Sequence, residues 1–344
     1  MAMLNALCSF SRRSAADSRL SIRSRLHVLH IEHGLRSEEE SLGDAEFVRA
    51  FCREQKIKCR VKHIPPGKVA VCAKRKGIGI EAAARFFRHK AFRVESARLK
   101  QGAGLTGNEA NVFILTAHTK DDLLETSLMR VLRGSGPSGL AGIAGNREQL
   151  SESNEQGKER IGIEIIRPLI SFYREDVIAY LKARGVSWRE DATNKDEKFL
   201  RNRIRRRLVP LLDEAFPSWK TGVAAMAETQ ALASDFIADE ARRRIIWMRD
   251  LKSSLSTDAD NFFSQPLIIR EEAVFQAIDE LLKNVKNPRS VKRVVVRRFC
   301  ADCGMKAADF GAVTARREEG RILLLRKRKE YFEYGVSELV RQQD

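Results

Sequence analysis

The feature that most constrains this chain is the alternation, in its first part, of short β-prone segments with longer helical segments. Strands are predicted over residues 26–31, 58–64 and 112–116, and the helices that follow them begin near residues 37, 80 and 120. An alternation of this kind is typical of a parallel sheet covered by helices, because each helix returns the chain to the same edge of the sheet. The sequence therefore predicts an α/β fold for this part.

The next segments continue this pattern and then end it. Residues 146–160 contain almost no apolar side chain and are predicted to form a mobile surface loop, followed by a strand over 161–166. Helices are predicted over 173–184 and 199–212, and the second of them is strongly basic and ends near Pro217. A first domain boundary is therefore predicted near residue 215.

The remaining residues predict a different architecture. Apolar positions recur at three- and four-residue spacing up to about residue 286, which indicates a helical domain over 216–290. Within a C-terminal region, 291–344, residues 312–317 and 321–328 predict a β-hairpin with a Glu-Glu-Gly turn. Because single cores seldom grow beyond about 250 to 300 residues, a chain of 344 residues accommodates this division.

Composition and charge indicate the class of partner. Hydrophobic residues make up 43% and charged residues 32% of the chain, and no apolar run reaches the roughly 20 residues that a membrane helix needs. Lys and Arg number 63 against 46 Asp and Glu, and the resulting net charge of +17 favours a polyanionic partner through counterion release. Nucleic acid is the predicted partner, with a generally basic proteome as the alternative.

The cysteines and the N-terminus bear on the cellular compartment. Four of the six cysteines are isolated in sequence, unlike a disulfide framework, and Cys300 and Cys303 have no second pair nearby to complete a zinc site. The arginines near the N-terminus are not followed by the apolar core and cleavage site of a signal peptide. We therefore expect reduced thiols, no metal at Cys300 and Cys303, no membrane partner, and a cytoplasmic location.

A group of acids opens the helix after the third predicted strand. Asp122 and Glu125, three residues apart, share one helical face beyond the carboxyl edge of the sheet, where ligands of α/β proteins bind. Two carboxylates in this position can hold Mg²⁺ against nucleotide phosphates. The alternative, which spacing alone favours, is that acids in a first helical turn complement the helix dipole.

Three other segments carry charge or glycine, and each has a structural alternative. Glu81 and Arg85 are spaced for an ion pair on a helix surface, while the functional interpretation gives Arg85 a phosphate contact. Residues 133–140 follow a helix, so a helix C-cap explains their glycines without a ligand. Residues 201–207 hold a dense arginine cluster that either faces a phosphate backbone or is simply solvated.

Taken in order, these segments resemble the tRNA(Ile)-lysidine synthases of the N-type ATP pyrophosphatase group, over about residues 26–212. The segments that carry the resemblance are His33-Gly34-Leu35-Arg36, Glu81 to Arg85, Ala117-His118 to Glu125-Thr126, Arg133 to Gly136 with Gly139-Leu140, Arg167-Pro168-Leu169 with Arg174 and Tyr180, Trp188 with Glu190-Asp191 and Asn194, and Arg201-Asn202 with Arg205. Agreement of several independent motifs in one order is not expected by chance.

The resemblance implies a parallel-sheet PP-loop ATPase domain, of the adenine-nucleotide α-hydrolase-like type, with ligase activity. In that family ATP adenylates the C2 oxygen of the wobble cytidine of tRNA(Ile) with a CAU anticodon, and pyrophosphate is released. The amine of free L-lysine then displaces AMP. The implied cofactors are ATP and Mg²⁺, the implied partners are tRNA(Ile) and free L-lysine, and the residues after 215 would recognise the tRNA.

The resemblance also implies roles for single residues. The implied catalytic residues are Arg85, Asp122, Glu125 and Arg205, with Asp122 and Glu125 as the Mg²⁺ ligands. Nucleotide contacts are implied for His33, His118, Asp121 and Arg133. Contacts to tRNA or to the adenylate are implied for Asp191, Asn194, Arg201 and Asn202.

The chain departs from the family in one respect. The family's Ser-Gly-Gly-x-Asp-Ser loop, whose backbone N–H groups cradle the ATP phosphates, has no counterpart here, since the first glycine is Gly34. We expect the native protein to begin some tens of residues upstream, which translation of the in-frame DNA before Met1 tests. We also expect a chain that begins at Met1 not to bind ATP normally.

Two other functions remain open at this level. One is a tRNA-binding protein that descends from the enzyme but lacks catalysis. The other is a different PP-loop enzyme such as a tRNA sulfur transferase, although Cys300 and Cys303 lie far outside the predicted α/β domain. The oligomeric state is open as well, with a homodimer among the options.

Overall fold

The chain is organised in two compact units, Met1–Ser234 and Asp235–Asp344, which are described one at a time. The computed structural model describes residues 1–14, 25–35, 38–102, 112–141, 147–153, 159–189, 197–251, 253–282, 291 and 293–327. Among the helices of these residues, none is long and apolar enough to cross a membrane.

The first unit alternates strands and helices. Its strands are β1 (His27–Glu32), β2 (Lys58–His63), β3 (Phe113–Leu115), β4 (Arg147–Ser153) and β5 (Glu159–Ile166). Its helices are α1 (Ala2–Ser14), α2 (Glu38–Glu54), α3 (Lys68–Lys76), α4 (Ile80–Gly102), α5 (Lys120–Val131), α6 (Pro137–Leu140), α7 (Arg174–Ala183), α8 (Leu200–Arg203) and α9 (Val209–Ala215). A π-helical segment, Ile204–Leu208, joins α8 to α9, and α10 (Trp219–Arg244) follows.

Two parallel strand pairs confirm the predicted α/β arrangement. β1 pairs with β2, with His27 opposite Lys58, and β3 pairs with β5, with Leu115 opposite Ile166. The predicted strands agree with the observed ones to within two residues at each end. Because neighbouring parallel strands end at the same edge of a sheet, the segments after β3 and β5 lie side by side.

The prediction of a mobile loop over residues 146–160 is wrong at both ends of that range. Arg147–Ser153 forms β4, which pairs antiparallel with β5, and β5 itself begins at Glu159. Among the strands that the structure describes, the order β3-β5-β4 places β4 beside β5 alone. Such a strand is held through backbone hydrogen bonds, so a sequence with few apolar residues is compatible with it.

The glycine after β1 is required by a close approach to the end of β2. Gly34 has a φ of +62°, and a Cβ added to it would lie 2.5 Å from the carbonyl oxygen of Ile64. Residues with a side chain rarely adopt this φ, and no Cβ tolerates a contact this short. The glycine of the His33-Gly34 motif therefore has a structural reason for its presence.

The second unit packs an antiparallel sheet against helices. Its strands are β6 (Met248–Leu251), β7 (Ser254–Asp258), β8 (Ala307–Asp309), β9 (Val313–Glu318) and β10 (Arg321–Arg326), in the order β6-β7-β10-β9-β8. Its further helices are α11 (Ala259–Ser264), α12 (Leu267–Leu282) and α13 (Arg293–Ala301). The predicted hairpin is confirmed by β9 and β10, in which Arg321 lies opposite Glu318.

One hydrophobic core holds the second unit together. Ile278 of α12, Phe299 of α13 and Leu324 of β10 belong to the same buried cluster. The core thus includes residues on both sides of position 290. The division into 1–215, 216–290 and 291–344 remains a prediction about folding domains.

The prediction of an entirely helical pattern from residue 216 to about 286 is wrong where β6 and β7 occur. β7 pairs with β10 on one side and β6 on the other. Its Ser254, Ser256 and Thr257 are buried although they are polar. The burial of such a strand comes from its pairing with a distant strand, which local spacing of apolar residues does not reveal.

Candidate active site

The carboxyl ends of β3 and β5 bring two sequence motifs together. The backbone N–H of Thr116 donates to the carbonyl oxygen of Ile166 at 2.9 Å. Arg167, which follows β5 directly, is only 2% exposed. The Oγ1 of Thr116 lies 2.9 Å from Nδ1 of His118. The two motifs therefore meet at the edge where ligands of parallel sheets bind.

Asp122 caps the helix that starts at this edge. Its Oδ2 accepts hydrogen bonds from the backbone N–H of Thr119 at 2.8 Å and from the Thr119 hydroxyl at 3.2 Å. The carboxylate thus satisfies an N–H that has no partner within the helix, at the positive end of the helix dipole. This capping contact is the structural alternative that the sequence left open, and it leaves Oδ1 for a second partner.

Glu125 lies at the centre of a group of two carboxylates and two guanidiniums. It is 3% exposed, and its oxygens accept from Nε of Arg201 at 2.7 Å and from Nε of Arg205 at 2.6 Å. The Nη2 of Arg205 donates a further bond to Glu125 at 2.9 Å. The Nη2 of Arg201 donates to Oδ1 of Asp122 at 2.9 Å. These four residues, Asp122, Glu125, Arg201 and Arg205, form the carboxylate–arginine cluster.

The two arginines that bind Glu125 lie on either side of the start of a π-helical segment. Arg201 lies in α8, and Arg205 lies in the π-helical segment that follows it. Between them, Asn202 and Ile204 are buried. π-helical turns are rare and occur often at functional sites. The basic helix predicted over 199–212 is therefore present, but its hydrogen-bond pattern changes at the cluster.

Burial and ion pairing act in opposite directions on Arg205. Burial disfavours its charge, but the hydrogen bonds and the negative charge of Glu125, with further acids nearby, outweigh this effect and raise the pKa of Arg205. The guanidinium is therefore charged at every physiological pH. With two carboxylates and two guanidiniums, the cluster is electrically balanced.

His118 is uncharged beside this cluster. Burial is the main cause that lowers the pKa of its imidazole, from 6.5 to about 4. Among the charged groups around it, Asp122 raises this pKa, whereas those that lower it are Arg88, Arg167 and Arg201. The ring is consequently neutral at pH 7, and it can take part in hydrogen bonds without adding charge.

A pocket that is open to solvent, with about 390 Å³ of space free of protein atoms when that solvent is included, lies beside the cluster within the first unit. Its lining residues are Asp121, Leu124, Glu125, Arg174, Arg205, Val209, Trp219 and Lys220. Two of these are acidic and three are basic, and the basic Lys220 is itself paired with Asp213 at 2.9 Å. Its wall combines apolar and aromatic side chains with guanidinium and ammonium groups, which are groups that bind phosphate.

The other predicted site residues have different surroundings. Asp121 accepts a hydrogen bond from the backbone N–H of Arg174 at 2.7 Å, so it joins α5 to the start of α7. Arg85 is exposed on α4, and Arg133 is exposed just after α5. His33 is partly buried after β1. Their roles in nucleotide binding remain predictions.

Two further outcomes concern the remaining segments. Asp191 and Asn194 lie outside the described residues, and their predicted contact with tRNA or the adenylate stays a prediction. In the glycine-rich segment after α5, Gly134 has a φ of +67° and its N–H donates to the carbonyl of Val131 at 3.0 Å. This is the helix C-cap that the sequence offered as the structural explanation.

Several residues at the site were not singled out from sequence. Arg88 lies one turn after Arg85 on α4, a spacing that could have drawn notice to it. Arg167 is among the residues that carry the family resemblance, but the resemblance implies no functional role for it. Trp219 and Lys220 line the pocket although no local pattern marks them, because their position depends on how α10 begins after α9.

The predicted Mg²⁺ ligands Asp122 and Glu125 are both engaged with other partners, and the Mg²⁺ site stays a prediction. All four carboxylate oxygens already accept hydrogen bonds, from the two arginines or from the helix cap. Mg²⁺ requires near-octahedral oxygen donors. In this arrangement Asp122 and Glu125 bind the two arginines.

The fold, together with the cluster at the carboxyl edge of β3 and β5, indicates the class of protein. A parallel α/β unit with a charged cluster at the carboxyl ends of its strands agrees with the family whose domain matches residues 3–212, described as the PP-loop domain. The match covers more than half of the chain, which therefore belongs to the PP-loop family.

Curated relatives give a more particular similarity. The tRNA(Ile)-lysidine synthase of Treponema denticola is 31% identical over 328 residues, which cover 95% of this chain and 63% of the relative. The tRNA(Ile)-lysidine synthase of Thermus thermophilus is 33% identical over 299 residues, which cover 87% of this chain and 51% of the relative. The chain thus spans between about half and two thirds of the length of these relatives.

One solved structure is also similar. It is the U34-tRNA thiolase NcsA from Methanococcus maripaludis with its [4Fe-4S] cluster, at 12% identity and a TM-score of 0.42. The similarity covers 59% of this chain and 61% of that one. A TM-score at this level supports no conclusion about function.

Proposed function

We propose that this chain is the catalytic part of a tRNA(Ile)-lysidine synthase. In the proposed reaction, a ligase joins free L-lysine to C2 of the wobble cytidine of tRNA(Ile) with a CAU anticodon. The reaction uses ATP, passes through an adenylated cytidine, and releases pyrophosphate and then AMP. A cytoplasmic location belongs to the same proposal.

The observation that carries the proposal is the carboxylate–arginine cluster at the carboxyl edge of β3 and β5. It is supported by the PP-loop family and by the name that relatives share at 31% and 33% identity over most of this chain. The net charge of +17 supports a nucleic-acid substrate. A wobble base lies in a single-stranded loop, where an enzyme can reach it.

The chemistry of adenylation matches what these side chains offer. Attack on the α-phosphorus of a nucleotide builds negative charge on the phosphoryl oxygens and on the departing pyrophosphate. The guanidiniums of Arg201 and Arg205 are fixed by Glu125, and fixed cations stabilise such charge without reorganisation during the reaction. Neutral His118 adds a hydrogen-bonding group beside them without a charge of its own.

The test is a product assay with protein expressed from its own reading frame, including any codons upstream of Met1. We expect the protein to convert the wobble cytidine of a tRNA(Ile) transcript to lysidine in the presence of ATP and L-lysine, as detected by mass spectrometry of the digested tRNA. The change Arg205→Gln lowers the rate by about 100-fold, since a fixed charge at the phosphate is lost.

The matched control is Glu214→Gln, which alters an exposed acid in the neighbouring helix α9 and leaves the rate unchanged. Binding of tRNA without any lysidine would favour a tRNA-binding relative that lacks catalysis. Sulfur incorporation in place of lysine would favour a tRNA sulfur transferase.

A further inference from the structure

We propose that Glu125 is a positioning residue that holds Arg201 and Arg205 for a phosphate group, and that it is not a ligand of a metal ion. The identification of the ligand as a phosphate rests on the proposed function. The positioning rests on the contacts of the cluster alone.

The bonding capacity of Glu125 is already in use. Its Oε1 accepts from Nε of Arg205, and its Oε2 accepts from Nε of Arg201 and from Nη2 of Arg205. The side chain is 3% exposed, so water does not compete for these oxygens. A metal ion would have to displace bonds between a buried carboxylate and two cations, which leaves those cations without their partner.

Asp122 does not offer a free oxygen instead. Its Oδ2 is committed to the cap of α5 through Thr119, and its Oδ1 accepts from Arg201. Recruiting Asp122 to a metal would therefore uncap the helix or release an arginine. The two acids together hold the guanidiniums of Arg201 and Arg205 in place.

The arginines keep donors for a ligand on the side away from Glu125. A guanidinium has five N–H donors in a planar fork, and Glu125 engages only the Nε and Nη2 groups of Arg205. Arg205 also lines the solvent-open pocket together with Lys220 and Arg174. The planar fork of Arg205, fixed by Glu125, matches the oxygens of a phosphate group.

Two binding measurements test the proposal on the protein expressed from its own reading frame. Affinity for inorganic pyrophosphate is measured by calorimetry in EDTA, and affinity for Mn²⁺, used in place of Mg²⁺, by electron paramagnetic resonance without pyrophosphate. The variants are Glu125→Gln and the control Glu214→Gln. In the control variant both affinities match those of the unchanged protein.

For Glu125→Gln we expect pyrophosphate binding to weaken by about fivefold to tenfold, because the arginines lose their common anchor. This direction is diagnostic, since removal of a negative charge by itself would strengthen the binding of an anion. The Mn²⁺ affinity stays within about twofold of that of the unchanged protein, because a metal ligand contributes far more than that.

Unchanged or tighter pyrophosphate binding in Glu125→Gln overturns the positioning role. A loss of Mn²⁺ affinity of about tenfold or more overturns the statement that Glu125 is not a metal ligand. If Glu125→Gln does not fold, Arg205→Lys provides a second test. This variant keeps the positive charge but loses the planar set of guanidinium N–H donors. We expect it to weaken pyrophosphate binding about as much as Arg205→Gln does, and full affinity in Arg205→Lys overturns the proposal.

Failure of this inference is distinguishable from failure of the proposed function. If pyrophosphate binding depends on Glu125 but no lysidine forms, the positioning role is supported and the function is wrong. If lysidine forms but pyrophosphate binding is independent of Glu125, the function is supported and the positioning role is overturned.

Discussion

Gly34 allows the backbone after β1 to pass close to the end of β2. We predict that Gly34→Ala lowers the free energy of unfolding by about 2–4 kcal/mol, because it combines a left-handed φ with a backbone clash. Gly77→Ala is the matched control: its φ is also +62°, but no atom lies within 4 Å of the added Cβ. The control should cost about 1 kcal/mol. Equal losses in urea unfolding of the two variants would show that the clash is relieved at no cost.

His118 gives the stability of the first unit a pH dependence. The folded protein lowers the pKa of His118 from 6.5 to about 4, so the unfolded chain takes up a proton first as the pH falls. The stabilisation is fully present above pH 6.5 and is lost towards pH 4. As the pH falls, we expect the free energy of unfolding of His118→Asn to decrease less than that of the unchanged protein. The difference is on the order of 1 kcal/mol after allowance for partial exposure. Parallel curves of unfolding free energy against pH would contradict this.

The residues of the cluster could be predicted from sequence, but their geometry could not. Asp122 and Glu125 were marked by their spacing after a strand, and Arg201 and Arg205 by a dense basic segment. The contact between these pairs joins positions about 80 residues apart, and its form depends on how the strands and helices pack. The same limit applies to Lys220, which reaches the pocket without any local signal.

At the scale of elements, the alternation along β10 controls the stability of the second unit. Leu324 faces the core and is fully buried, whereas its neighbour Leu323 is only partly buried. We predict that Leu324→Ala lowers the free energy of unfolding by about 2–5 kcal/mol, and that Leu323→Ala costs less than half as much. Thermal unfolding of both variants measures this. A larger loss for Leu323→Ala would mean that the assigned strand register is wrong.

Elements with a strong local pattern were predictable, and those held by distant pairing were not. β1 and β3 are rich in apolar residues, β2 alternates basic residues with Cys59 and Val61, and α5 begins with a recognisable capping sequence. β4 has few apolar residues and β7 is largely polar, so neither carries a hydrophobic period. Their strand conformation is stabilised by pairing with β5 and β10. Sequence periodicity reports which face is apolar, not which backbone lies alongside.

At the scale of the whole molecule, the net charge of +17 gives tRNA binding a strong salt dependence. We predict that the affinity for tRNA falls by more than about tenfold between roughly 50 mM and roughly 200 mM salt, because neutralised phosphates release counterions. A filter-binding titration at several salt concentrations gives the slope. An affinity that does not change with salt would exclude an interface dominated by lysine and arginine contacts to phosphates.

Exchange of radiolabelled pyrophosphate into ATP in the presence of tRNA(Ile) tests whether this cluster adenylates tRNA. We predict exchange that requires the tRNA and needs no lysine, because adenylation of the wobble cytidine precedes the attack by lysine. We also predict that the exchange rate falls by about 100-fold in Arg205→Gln and is unchanged in Glu214→Gln. Exchange that proceeds without tRNA, or that is as fast in Arg205→Gln as in the unchanged protein, would contradict the assignment of this cluster to tRNA adenylation.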